Sequence, residues 1–165
     1  MVIERPALLD FARLAQECFF NQTWPQKQLL VFNATGLPLN RWPKRHVREL
    51  RLRRMPRHLM LHILRENADG EWCVLWDADC WYEPTVLAEH MKAAERETAV
   101  VFRHVTAFSV TDKKAFTISD ERVIHGSFLR LSQIDFQQPF YRQTPRLKLL
   151  DVPAQLVVKF VNKIV

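Results

Sequence analysis

At 165 residues, 48% of them apolar and 25% charged, with three glycines and no low-complexity stretch, the chain is sized for one packed domain and falls outside the disordered and fibrous classes. Its apolar runs are far shorter than a membrane span, and Met1-Val2-Ile3-Glu4-Arg5-Pro6 has no basic start followed by an apolar leader core, so a soluble cytoplasmic protein without a membrane span is expected. The net charge of +6 is uneven: nine basic residues lie between Arg41 and Arg65, with Glu49 the one acid among them, a block suited to phosphates, nucleic acid or an acidic partner, or else to a solvated face.

Pro6 suits a first helical turn, and Leu8, Leu9, Phe11, Ala12, Leu14, Ala15, Cys18 and Phe19 carry helical apolar spacing until Asn21 to Pro25 end it. Gln28 to Phe32 reads as a strand closing on the polar turn Asn33-Ala34-Thr35-Gly36. A basic, proline-punctuated connection surrounds a short strand over Val47 to Leu52. Pro56 then opens a helix over Arg57 to Asn67, which Asp69-Gly70 breaks. Trp72 to Trp76 is a short apolar strand, and Pro84 precedes a third helix through Val86, Leu87, His90, Met91 and Ala94. Thr98 to Phe102 is a strand. Thr106 to Asp112 and Ala115 to Ser119 pair as a hairpin. Ile124 to Leu131 is a strand or strand–helix junction. Leu147 to Leu150 and Gln155 to Val161 are β-prone.

Helix and strand alternate in the first half, which argues for a parallel sheet with crossover helices; the second half is richer in strands. Cys18, Cys73 and Cys80 fit neither a zinc site nor a disulfide framework and read as reduced packing residues.

Chemistry concentrates where the Trp72–Trp76 strand ends. Asp77 and Asp79 stand one residue apart just beyond it, at the strand end where open α/β sheets bind ligands. Two adjoining acids repel, so a cation between them is expected, and a hard divalent ion suits oxygen donors. A solvated turn capping a helix is the plainer alternative. Trp81 and Tyr82 could stack on a sugar or base, while Trp76 is expected in the core.

Three segments in order carry a family resemblance: Arg5-Pro6 through Phe20-Asn21-Gln22-Thr23-Trp24-Pro25 into Leu29-Leu30-Val31-Phe32; Asn67-Ala68-Asp69-Gly70-Glu71-Trp72 through Trp76-Asp77-Ala78-Asp79 to Trp81-Tyr82-Glu83-Pro84; and His125-Gly126-Ser127-Phe128-Leu129-Arg130. Together they resemble the family-2 glycosyltransferases, nucleotide-sugar-dependent enzymes of the GT-A fold. The resemblance implies an α/β, Rossmann-type open sheet, mostly parallel and flanked by helices, with a smaller β-rich C-terminal part. Residues 1–97 would form the nucleotide-sugar half and 98–165 the acceptor side.

It further implies metal-dependent transfer of a sugar, of inverting hexosyltransferase type, from a nucleoside diphosphate sugar to an unknown acceptor. Asp77 and Asp79 would hold Mn2+ or Mg2+, Asn33, Asp77 and Trp81 would contact the donor, and His125, Gly126 and Ser127 would lie on the acceptor side.

The chain departs from the family pattern in four places. The opening strand is stunted. Asn33 replaces the acid ending the second strand, and Leu61-His62 stands where an Arg-Asn pair is usual, with His62 expected to be a satisfied, partly buried histidine. The late Glu-Asp pair that supplies the base is absent, leaving Asp135 and Asp151 as substitutes.

An inactive relative that binds through its basic 41–65 segment is therefore the alternative, with nucleic acid as one partner that block could serve. A short edge strand also invites pairing into a homo-oligomer. A dehalogenase-type phosphatase, which likewise sets Asp-x-Asp after a strand, lacks its usual Thr or Val two residues later, because Cys80 and Trp81 follow here.

Overall fold

The computed structural model describes residues 1–39, 46–94, 99–102, 104–109, 111, 113–119, 128–130, 148–150 and 157–161. Strand β1 (Val2–Ile3) leads through a 3-10 turn, Pro6–Leu8, into helix α1 (Leu9–Phe20). Strands β2 (Leu29–Asn33) and β3 (Val47–Arg51) follow, then α2 (Arg57–Glu66), β4 (Trp72–Val74), β5 (Cys80–Tyr82) and α3 (Val86–Ala94). The remainder is strand: β6 (Ala99–Phe102), β7 (His104–Ser109), β8 (Lys114–Ser119), β9 (Phe128–Arg130), β10 (Lys148–Leu150) and β11 (Val157–Val161).

The first sheet, in the order β1-β2-β3, is wholly parallel, with Val2 opposite Phe32 and Leu29 opposite Val47. Two four-stranded sheets, β10-β6-β9-β4 and β5-β11-β7-β8, mix parallel and antiparallel pairs. This is the expected α/β class, with the strand-rich part late in the chain.

Period-two alternation in β2 sorts its side chains to two faces. Leu29 and Val31 join Ile3 in the core beneath α1, which buries Leu9, Ala12, Ala15, Cys18 and Phe19 at helical spacing. Phe32 and Val2 pack on the other face with Met60 and Leu64 of α2, and Leu30 lies against them. A continuous apolar strand with a helix over each face follows directly from that sequence.

The hairpin β7–β8 pairs Ser109 with Lys114, and Lys113 takes a left-handed φ of 52° in its turn. The sequence expectation ran the first of these strands on to Asp112. Among the described residues the pairing runs from His104 opposite Ser119 to Ser109 opposite Lys114, and Val110 and Asp112 lie outside them. Strand β5 was not anticipated, since the three residues Cys80 to Tyr82 are too short to show a period.

Candidate functional site

The carboxyl ends of β1, β2 and β4 bring Glu4, Asn33 and Asp77 to one end of the structure. Arg57, the first residue of α2, joins two of them. Its Nη2 donates to Asp77 Oδ1 at 3.1 Å, and its Nη1 lies 3.6 Å from Glu4 Oε1. Arg54 Nη2 approaches Glu4 Oε2 at 3.4 Å. Arg57 thus sets a guanidinium of the chain itself beside Asp77. Sequence reasoning had placed Arg57 only within the basic block. The signal that could have singled it out is the need of Asp77 for a counter-charge, read against an arginine opening the preceding helix.

The turn carrying both acids is anchored by aromatic residues. The backbone N–H of Asp77 donates to Tyr82 Oη at 2.6 Å. The Tyr82 ring stacks on Trp76, with centroids 3.7 Å apart and planes 18° from parallel, and Trp76 Nε1–H donates to Ala15 O of α1 at 2.8 Å. Phe19 meets Trp76 edge-on at 6.2 Å. Trp76 is in the core as expected. Tyr82 is also fully buried, and that burial pushes its hydroxyl well above the usual tyrosine range, so its ring supports the loop from within. Trp81 is half-buried and packs against the same cluster.

Asp79 is half-buried, with the Cys80 thiol 3.9 Å from its Oδ1. Among the described residues no group of three His, Cys, Asp or Glu side chains converges as a metal cage. The donor chemistry nevertheless fits Mn2+ or Mg2+ of the kind held by one or two carboxylates together with substrate phosphates, because both side chains offer hard oxygen atoms on the connection from β4 to β5.

Asn33 is buried, and its amide is spent on the turn. Nδ2 donates to Leu37 O at 2.7 Å and to Glu49 Oε1 at 2.5 Å, while Oδ1 accepts from the N–H and hydroxyl of Thr35 at 3.0 and 2.7 Å. Glu49, the acid inside the basic block, also accepts from Leu39 N–H at 3.2 Å. His62, expected to be satisfied, has a buried Nδ1 with no hydrogen-bond partner among the described residues.

Gln22 proves structural. Its Nε2 donates to Cys18 O at 3.1 Å and Glu83 O at 2.7 Å, and its Oε1 accepts from Leu87 N–H at 3.0 Å. The segments holding Asp135, Asp151 and His125-Gly126-Ser127 lie outside the described residues.

A cavity of about 380 Å³ is lined by Gly70 to Asp77, which include β4, together with Met1, Leu29, Leu30 and Arg57. Cys73 lines it, and burial pushes that thiol up to about 11, so it stays protonated and unreactive at neutral pH.

The family model described as glycosyl transferase family 2 matches residues 41–150, which is 110 of the chain's 165 positions. The chain belongs to that family. Residues 1–349 of S. aureus TarS, solved in complex with UDP, are similar in fold, with a TM-score of 0.67 at 9% identity over 97% of this chain and 60% of that one. A second structure of S. aureus TarS 1–349 gives 0.64 at 11% identity, over 96% and 59%. The likeness is one of fold, and the chain spans about 60% of the length of the solved TarS chain. Comparison with the curated proteins finds no match. No helix among the described residues is long and apolar enough to cross a membrane.

Proposed function

We propose that this family-2 domain transfers a sugar from a nucleoside diphosphate sugar to an acceptor, with donor binding beside Glu4, at the end of β1, and Asp77 and Asp79, on the loop between β4 and β5. The observation that carries the reading is the Arg57–Asp77 contact beside Asp79, which sets fixed positive charge and hard oxygen donors side by side where an anionic diphosphate needs both. TarS, of the same fold, binds UDP, which supports a uridine donor.

Asp79, with the second oxygen of Asp77, would hold Mn2+ or Mg2+. When bound, the ion supplies Lewis-acid neutralisation of the charge growing on the departing diphosphate. Arg57 keeps Asp77 oriented and lends a second cation. Residues 98–165 would form the acceptor side, with His125, Gly126 and Ser127 near the acceptor and Asp135 or Asp151 taking its proton. We place the protein in the reducing cytosol, where its free cysteines persist.

A second reading follows from the same contact. With Asp77 committed to Arg57, the domain binds donor without turnover and acts as a module through its basic segment.

Thermal shift with UDP and UDP-sugars, with and without Mn2+, tests the donor site. Ligand at about 100 times its Kd contributes about 2.7 kcal/mol to the native state, a shift of several degrees. UDP with Mn2+ should stabilise the wild type and fail on Asp79→Ala. No shift in the wild type overturns the donor reading, and a shift without sugar transfer selects the module.

A further inference from the structure

Beyond β3, the chain crosses to α2 through an unusual surface. Residues 51–59 are all exposed except Met55, which is half-buried. Arg51, Arg53, Arg54, Arg57 and His58 lie in this strip, and the nearest acids in sequence are Glu49 and Glu66. Glu49 faces inward onto the Asn33 amide. Arg54 and Arg57 lean on Glu4 and Asp77, whereas no ion pair among the described residues reaches Arg51 or Arg53.

Apolar side chains stand among these cations. Leu37, Leu52 and Leu59 are 51%, 45% and 43% exposed. Two of them surface from one strand end: Asn33 Nδ2 donates to Leu37 O at 2.7 Å, and Leu52 N–H donates to Asn33 O at 3.2 Å. Leu59 lies in the first turn of α2, which turns Met60 and Leu64 inward instead.

We propose that this basic, leucine-bearing strip docks the protein on an anionic lipid bilayer. Cations with so few nearby acids call for an anionic partner. Half-exposed leucines gain nothing against a phosphate backbone but insert at the headgroup–acyl boundary. No aromatic residue between His46 and Leu59 offers a platform for stacking a base. Attachment is peripheral. Because Arg57 links the strip to Asp77, docking brings the carboxyl ends of the strands to the bilayer. The inference is independent of the sugar-transfer reading, since vesicle binding requires no donor.

Sedimentation of the full chain with lipid vesicles tests it, using phosphatidylcholine alone or with about 30 mol % phosphatidylserine. The protein should pellet with the anionic vesicles only. The double variant R51Q/R53Q should weaken binding about 25-fold, at about fivefold per cation. The double variant L52S/L59S should weaken it about tenfold or more while leaving the salt dependence in place. All four positions are solvent-exposed, and unchanged melting temperatures will confirm folding; Arg53→Glu alone serves as a second charge variant. No pelleting, or equal pelleting with neutral vesicles, overturns the proposal. So does binding to duplex DNA or an acidic peptide with vesicle binding indifferent to the leucine changes, which reassigns the strip to that partner.

Discussion

Asp77 and Met1 line one cavity and face opposite situations: the acid has a guanidinium at 3.1 Å, while the amine donates to a carbonyl, Leu30 O, at 2.7 Å. Burial is the largest influence on the amine and lowers its pKa from 8.0 to about 6; the Asp77 carboxylate opposes this and Arg57 reinforces it. Between pH 6 and 8 the unfolded chain therefore binds more protons than the folded one, so stability rises with pH across that window. Two units correspond to about 3 kcal/mol. Urea unfolding of the chain with a free Met1 amine should show a midpoint climbing from pH 6 to pH 8. Acetylating that amine should flatten the climb. None of this was legible in the sequence, because a burial shift depends on neighbours remote along the chain.

At the scale of elements, the Gln22-Thr23 turn ties the end of α1 to the start of α3. Besides the three Gln22 bonds, Thr23 N–H donates to Pro84 O at 2.8 Å. Lys27 Nζ donates to Phe20 O at 3.2 Å and to Gln22 O, and lies 5.6 Å over the Phe19 ring, so the turn is held from both sides. Gln22→Ala leaves the Leu87 N–H and the Glu83 carbonyl without that partner in a buried setting, at a cost of about 2–4 kcal/mol. We expect the melting temperature to fall by about 5–15 °C, and Gln22→Glu to fall short of full rescue because a carboxylate cannot donate to two carbonyls. The elements themselves were largely readable. Leu29 to Asn33 and Arg57 to Glu66 emerged within a residue or so of expectation, because apolar run length and proline placement are local signals. The tie between α1 and α3 was not, since its partners stand about sixty residues apart.

At the scale of the molecule, Arg57 joins the ends of β1 and β4, which belong to different sheets. Its side chain is 56% exposed, so the pair contributes little to stability, below about 1 kcal/mol. Its effect should appear in ligand binding instead. Arg57→Gln removes a cation from beside two acids, so UDP binding measured by calorimetry should weaken in the absence of metal and become more dependent on added Mn2+. Metal-free UDP affinity in this variant equal to that of the wild type would show that the guanidinium plays no part in holding the diphosphate.

The helices, most of the strands, the family and the Asp-x-Asp sequence could be read from the chain by itself. Each rests on residues close together in the chain: period two in β2, helical spacing in α1, and two acids ending an apolar run. Tertiary structure alone decided that Arg57 pairs with Asp77, that the side-chain amides of Asn33 and Gln22 bond within the scaffold, and that Tyr82 braces the acidic loop from inside the core. These outcomes depend on which strand ends meet, and a side chain's partner is fixed by that meeting rather than by its neighbours in sequence.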